Sequence, residues 1–120
     1  MRIRNANIYT EEHRFVRGDA AVENGRFVSC TGEPAGEEAV VDAEGMYLIP
    51  GLVDIHFHGC KGADMCDGTK EALDVITSYE ASVGVTSVCP ATMTIPKDEL
   101  LEVMKNAGSY EYSGGSHLVG

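Results

Sequence analysis

Two histidines separated by a single residue are the feature of this sequence with the clearest chemical potential. His56 and His58 close a short, mostly apolar run at residues 52–58. In a β-strand the side chains of residues i and i+2 leave the same face, so the two imidazoles would lie one pleat apart. Neutral imidazole nitrogens bind Zn, Fe, Co, Ni or Mn, and the pair therefore predicts two ligands of a divalent metal ion. Two histidines on one strand also occur for hydrogen bonding alone, and that alternative stays open at this point.

Three acidic residues lie close to the pair along the chain. Asp54 would share its face one pleat deeper, where the carboxylate either orients a ligand imidazole or is satisfied by backbone donors. Asp64 and Asp67 lie in a glycine-rich stretch, where turn chemistry accounts for them. The sequence assigns no catalytic residue within the chain and leaves the substrate-binding residues unknown.

Residues of the adjoining loops have an ordinary structural interpretation beside a functional one. Lys61 could meet a phosphate group, although a solvated surface lysine is the simpler interpretation. Gly59 and Gly62 could admit a substrate close to the backbone or serve only a tight turn. Thr94 could line a pocket or cap a helix that has Pro96 in its first turn.

The elements before the pair are short strands. Asn24-Gly25 between two β-prone runs is a strong hairpin signal, because both central residues of a type I′ turn have positive φ. A polar loop is predicted at 31–38. The predicted strands of this all-β segment cover residues 7–10, 20–23, 26–30, 39–42 and 46–49.

After residue 49, strands alternate with helices. Thr69 can cap a first helix that Gly84 closes, and Gly108 ends a second one. Strands are predicted at 52–58, at 85–89 and from His117, so their starts are 33 and 32 residues apart. The helical residues predicted to turn inward are Ala72, Leu73, Ile76, Tyr79, Val83, Leu100, Val103, Met104 and Ala107.

This regular spacing of the strand starts is typical of repeated βα units. It predicts the α/β fold class and, more specifically, the start of a (β/α)8 barrel. A closed barrel takes ~250 residues, so we expect these 120 residues to be the N-terminal piece of a larger protein. We expect a β segment at 1–49, followed at 50–120 by two βα units and the start of a third strand. The histidines then fall at the C-terminal end of the first barrel strand, where such barrels carry their active sites.

Charge and composition narrow the possible partners. The chain has 9 Lys+Arg against 19 Asp+Glu, a net charge of −10, which disfavours nucleic acid and anionic membranes. No apolar run approaches the ~20 residues of a membrane span, and the first residues lack a signal-peptide core. We therefore expect a cytoplasmic protein whose four cysteines are reduced.

Three segments carry a family resemblance. The run IPGLVDIHFHG at 49–59 resembles the first barrel strand of the amidohydrolase superfamily. Within that superfamily, GCKGADMCDG at 59–68 and GVTSVCPATMT at 84–94 are similar to segments of N-acetylglucosamine-6-phosphate deacetylases. The resemblance implies that His56 and His58 are metal ligands and that residues 1–49 join a small β-sandwich.

The same resemblance implies an activity for the intact protein. It is hydrolysis of the acetamide of a small molecule, N-acetylglucosamine 6-phosphate, to glucosamine 6-phosphate and acetate, by a homodimer. A ligand Glu, two further His and a general-base Asp would lie beyond Gly120, and the histidine pair implies a second metal position. Two alternatives stay open: another amidohydrolase, such as a D-aminoacylase or an adenine-deaminase-like enzyme, and a short non-catalytic module.

Overall fold

The chain divides into two compact units, Met1–Pro50 and Gly51–Gly120. The structure, a computed structural model, describes residues 1–28, 39–111 and 113–120. The loop predicted at 31–38 and the end of the strand predicted at 26–30 lie outside the described residues. Across the described ranges, neither α-helix combines the length and the hydrophobicity that a bilayer crossing requires.

The first unit is a five-stranded sheet built around its N-terminal strand. Its strands are β1 (Arg2–Tyr9), β2 (Phe15–Glu23), β3 (Arg26–Val28), β4 (Val40–Asp42) and β5 (Tyr47–Leu48). β1 pairs antiparallel with β2 and parallel with β4 and β5, and β2 pairs antiparallel with β3. All five strands overlap predicted ones, but β1 and β2 begin earlier than predicted, because their first residues include arginines that break the apolar alternation.

The turn between β2 and β3 confirms the predicted hairpin. Asn24 and Gly25 have φ values of 50° and 72°, which is the type I′ pattern. Positive φ at both central residues matches the right-handed twist of the flanking strands.

The second unit alternates strands and helices. Its elements are β6 (Val53–Asp54), β7 (Gly59–Cys60), β8 (Ala63–Asp64), a 3₁₀ turn (Met65–Asp67), α1 (Lys70–Ser82), β9 (Ser87–Val88), α2 (Lys97–Gly108) and β10 (His117–Leu118). β6, β9 and β10 form a parallel sheet in which β9 is central, while β7 and β8 form a separate antiparallel hairpin. The unit is α/β, as predicted, but the hairpin after the histidines was predicted only as a loop.

The two helices start in different ways. Thr69 Oγ1 accepts a hydrogen bond from the Ala72 N–H (3.2 Å), which confirms it as the cap of α1, and Gly84 closes that helix with a φ of 91°. The prediction that Thr94 caps α2 is wrong. Pro96 has a ψ of 146° and is still extended, so it takes the N-cap position itself and Thr94 lies too far from the helix.

The core of the second unit lies where the helices cover the 3₁₀ turn and the sheet. Met65, Leu73 and Val103 form its buried cluster, and the half-buried residues packed against it are Ile95, Ala107, Tyr110 and Leu118. The inward orientation predicted for Val83 and Met104 is wrong, since these side chains are 53% and 51% exposed. Val83 follows the last residue of α1, where the helical phase that placed it inward no longer holds.

The cysteines of the described ranges form no disulfide. Cys60, Cys66 and Cys89 are all half-buried, and Cys30 lies outside the described residues. Burial, and then the nearby carboxylate of Glu80, raises the pKa of the Cys60 thiol above its ordinary value.

An acidic residue on α1 anchors the segment that leads into β10. Asp74 accepts hydrogen bonds from Tyr110 Oη (2.9 Å) and Ser113 Oγ (2.8 Å) and forms an ion pair with Lys70. Lys70 first, and then the hydroxyls of Ser113 and Tyr110, lower the pKa of Asp74 to about 2. Ionised Asp74 thus joins Lys70 on its own helix to Tyr110 and Ser113 in the segment between α2 and β10.

We expect this network to make stability depend on acid pH. Because an unfolded aspartate has a pKa of roughly 3.9, ionised Asp74 stabilises the fold fully above about pH 4, and this contribution is lost as pH falls towards 2. Asp74→Asn should therefore unfold at lower urea than the wild type at neutral pH, and the two should converge below pH 4. Ser113→Ala should show a smaller effect in the same direction. A difference that stays constant down to pH 2 would contradict this.

Candidate metal centre

The two histidines lie just past the end of β6 rather than within a strand. β6 ends at Asp54, His56 lies in a bend, and His58 directly precedes β7. The strand predicted at 52–58 is therefore too long, because regular pairing with β9 stops at Asp54. Both histidines still follow the C-terminal end of a parallel strand.

Hydrogen bonding continues irregularly beyond β6. The Cys89 N–H donates to the Asp54 carbonyl (2.8 Å), and the Ala91 N–H donates to the Phe57 carbonyl (2.7 Å). Between these two hydrogen bonds the segment that carries the histidines moves on by three residues, from 54 to 57. The segment that follows β9 moves on by only two, from 89 to 91. One residue of the histidine segment is thus extra, as in a β-bulge, a feature that re-aims side chains next to active sites.

The backbone holds the ring of His58 from one side. Its Nδ1 lies 2.9 Å from the carbonyl oxygen of Ala91. A carbonyl can only accept, so this bond places a proton on Nδ1 and, in the neutral ring, leaves the lone pair on Nε2. A metal-binding histidine commonly has its other ring nitrogen anchored in this way.

Asp54 contacts His56 through the backbone. Its Oδ1 accepts a hydrogen bond from the His56 N–H at 3.0 Å. Of the two roles left open by the sequence, this geometry supports a carboxylate satisfied by a backbone donor. His56 itself is exposed, and its ring is free to meet a ligand.

The two imidazole rings lie next to each other. Their centroids are 5.3 Å apart and their planes meet at 81°. Two imidazoles that bind one ion through nitrogens at about 2.1 Å place their centroids roughly 4.5 to 6.5 Å apart, so the pair fits two positions of one metal site. Within residues 1–28, 39–111 and 113–120, no cluster of three or more His, Cys, Asp or Glu forms a complete site.

A tight hairpin begins immediately after His58. Lys61 and Gly62 join β7 to β8 with φ values of 54° and 81°, a second type I′ turn. The Met65 N–H then donates to the His58 carbonyl at 2.8 Å, so the chain folds back onto the second histidine. The ammonium of Lys61 lies 4.9 Å from the centroid of the Tyr79 ring, a cation–π contact that gives this lysine a structural role.

Asp64, at the end of the hairpin, and Asp67, in the 3₁₀ turn, together cap that turn. Asp64 Oδ1 accepts from the Cys66 N–H (2.7 Å), and Asp67 Oδ2 accepts from the Asp64 N–H (2.9 Å). This reciprocal arrangement is a capping box. It confirms that turn chemistry accounts for both residues.

The loop after β9 positions the pair, and sequence reasoning missed it. Ala91 bonds to residues 57 and 58 through its N–H and its carbonyl, as described above. The Met93 N–H donates to Cys66 Sγ at 3.1 Å and ties the same loop to the 3₁₀ turn. These contacts use backbone groups, which have no side-chain signature, so only the position of the loop at a strand's C-terminal end could have indicated them.

Two cavities have linings that include neither histidine. One, of about 330 Å³, belongs to the first unit and is lined almost wholly by apolar side chains, including Ile8, Leu48 and Ile49. The other, of about 430 Å³, belongs to the second unit and is lined by Cys66, Asp67, Gly68, Asp98, Glu99, Glu102 and Val103. Its carboxylates would repel an anionic substrate, so neither cavity offers a place for a phosphate group.

The chain is similar in sequence to more than one kind of enzyme. The chain is 29% identical over 122 aligned residues to the N-acetylglucosamine-6-phosphate deacetylase of Bacillus subtilis, covering 98% of this chain and 31% of that protein. It is 38% identical over 60 residues to the adenine deaminase of Clostridium perfringens, covering 47% of this chain and 11% of that protein. No family model matches the chain.

A solved structure matches the fold. The N-acetylglucosamine-6-phosphate deacetylase of Pasteurella multocida superposes with a TM-score of 0.81 at 23% identity, over 99% of this chain and 34% of that one. The chain spans about a third of the length of the deacetylases it matches. In sequence and in fold, it is similar along nearly its whole length to N-acetylglucosamine-6-phosphate deacetylases.

Proposed function

We propose that this chain contributes the first strands of a (β/α)8 barrel to a metal-dependent amide hydrolase. The intact protein would remove the acetyl group of N-acetylglucosamine 6-phosphate, releasing acetate and glucosamine 6-phosphate. The observation that carries the proposal is the pair of neighbouring histidines, with ring centroids 5.3 Å apart, just past the C-terminal end of the first of three parallel strands.

Each histidine has a distinct part in the proposal. His58 offers Nε2 to the metal because Ala91 engages its Nδ1, and His56 offers its exposed ring from the adjoining bend. A divalent metal of the group Zn, Fe, Co, Ni or Mn held there would supply Lewis-acid polarisation of the acyl oxygen and a water molecule with a pKa lowered towards ~7. The remaining ligands and the general base belong to parts of the protein outside these 120 residues.

The sugar phosphate is proposed from the similarity to proteins named for that substrate. The net charge of −10 and the acidic cavity of the second unit support placing the phosphate-binding cations outside this chain. A homodimer working in the cytoplasm is part of the same proposal, as is the small β-sandwich to which residues 1–49 would belong.

Acetate release by the intact, zinc-loaded protein tests the proposal. We expect turnover of N-acetylglucosamine 6-phosphate, and turnover at least tenfold slower for unphosphorylated N-acetylglucosamine, because a site built for phosphate leaves buried cations unpaired without it. A matched reaction with N-acetylmethionine separates an aminoacylase from a sugar deacetylase. Absence of acetate from N-acetylglucosamine 6-phosphate, whether or not N-acetylmethionine is cleaved, would refute the proposal.

Adenine deamination is the second candidate. It rests on the 38% identity to an adenine deaminase, which is confined to 60 residues. Ammonia release from adenine, assayed with the same metal-loaded preparation, distinguishes the two. The deacetylase is preferred because its similarity extends over 98% of the chain.

A further inference from the structure

We infer that Asp54 is the positioning residue for His56, acting through the backbone rather than as a metal ligand or a general base. The inference rests on the proposed function insofar as the two histidines bind a metal. It assigns the carboxylate the task of holding the bulge that turns the first histidine towards the second.

The hydrogen-bond pattern around residue 56 carries this inference. Between the bonds at Asp54 and Phe57 the histidine segment contains one extra residue relative to its partner. In a regular parallel ladder the His56 N–H would donate to the carbonyl of Cys89. The His56 N–H donates instead to Asp54 Oδ1 at 3.0 Å, so the carboxylate replaces the strand carbonyl as the acceptor of this hydrogen bond.

A carboxylate two residues before the donor is well suited to this task. Asp commonly bonds to a backbone N–H two residues further along, and such a bond competes with regular strand pairing. The bond fixes the backbone between Asp54 and His56, and thereby the direction in which the His56 side chain leaves the chain. If the pairing of this segment with the residues after β9 slipped by one residue, the side chains that follow would turn to the opposite face.

The same contact argues against the two alternative roles of Asp54. Its Oδ1 accepts the His56 N–H, and its backbone carbonyl accepts the Cys89 N–H, so Asp54 is held on both its side chain and its backbone. A metal ligand or a general base needs the negative charge, whereas an acceptor for an N–H needs only an oxygen. Asp54→Asn keeps the acceptor oxygen but removes the charge. This substitution therefore distinguishes a backbone acceptor from a metal ligand or a general base.

Amide hydrogen exchange in the metal-free intact protein is the first measurement. Asp54→Ala removes the acceptor, and the exchange rate of the His56 amide should rise at least about tenfold. Asp54→Asn, with Oδ1 in place, should keep the rate within about threefold of the wild type. The matched control is Asp67→Ala, which removes a comparable bond to the Asp64 N–H and should leave the His56 amide unchanged.

Zinc affinity, measured by competition with a chromogenic chelator, is the second measurement. Asp54→Ala should weaken binding at the pair by about 10- to 100-fold, the usual effect of losing a residue that orients a ligand. Asp54→Asn should stay within about threefold of the wild type. Equal losses in Asp54→Asn and Asp54→Ala would show that the charge matters and would overturn the inference.

The two measurements fail in distinguishable ways. If the wild type binds no zinc but its His56 amide is protected and Asp54→Ala removes the protection, the proposed function is wrong and the bulge is held as inferred. If zinc binds but the exchange of the His56 amide is the same in all variants, the positioning role is wrong and the proposed function stands. The exchange experiment does not depend on activity or on metal.

Discussion

Replacing His58 with alanine in the intact protein is expected to lower acetate release about a thousandfold, since a metal supplies several kcal/mol of transition-state stabilisation. The same variant should lose about one equivalent of bound zinc, because a catalytic zinc site is typically held by three protein ligands and the loss of His58 would remove one of them. His58 is the more informative of the two histidines. Its ring is half-buried and already anchored by Ala91, so its removal costs the site a preorganised ligand.

Zinc content by atomic emission and steady-state acetate release measure the two effects on one preparation. His13→Ala is the matched control, because His13 is an exposed histidine of the first unit whose ring bonds to Tyr9 (3.1 Å) and whose N–H, which alanine keeps, donates to the Thr10 carbonyl. It should change neither quantity. A His58→Ala variant with full zinc content and wild-type turnover would refute the assignment of His58 as a ligand.

Much of the second unit could be predicted from local sequence signals. Thr69 and Gly84 bracket α1 as predicted, because a side-chain cap and a left-handed glycine act within one helical turn. The prediction that Thr94 caps α2 was wrong for a related reason. A cap signal specifies a local preference, and the extended conformation of Pro96 moved the helix start beyond its reach.

The candidate site divides in the same way into predictable and unpredictable parts. The spacing of His56 and His58 marked both residues as candidate ligands, and the structure places their ring centroids 5.3 Å apart although regular strand pairing ends at Asp54. The bulge could not be predicted, because it arises from pairing with residues 89–91, which are more than thirty positions away. The acceptor for His58 is a backbone carbonyl, and any residue type at position 91 would supply it.

The positions of the two histidines thus depend on three short backbone structures. The bulge aims His56, the loop after β9 anchors the ring of His58, and the β7–β8 hairpin returns Met65 to the carbonyl of His58. The hairpin is the part most sensitive to substitution. Its first residue packs against its own partner strand with no room for a side chain.

Gly59→Ala is therefore expected to destabilise the second unit by about 3 kcal/mol, the upper range for overpacking. A Cβ at Gly59 would lie 2.1 Å from the Ala63 carbonyl oxygen and 2.7 Å from the Asp64 Cα. Both are backbone atoms of the paired strand, so no side-chain rotation relieves the clash. The hairpin has to open, and the bond from Met65 to the carbonyl of His58 opens with it.

Urea unfolding gives the global effect, and amide exchange at Met65 reports on the hairpin alone. The control is Gly108→Ala, the same substitution at the last residue of α2, where a Cβ meets no atom within 4 Å. There alanine should stabilise by about 0.5–1 kcal/mol, because it loses less backbone entropy than glycine. Opposite signs for one chemical change would establish that close backbone approach at Gly59, and not the loss of a glycine as such, sets the cost. If Gly59→Ala keeps wild-type stability and a protected Met65 amide, the hairpin does not constrain His58 and the histidine pair must be held by the bulge and the β9 loop alone.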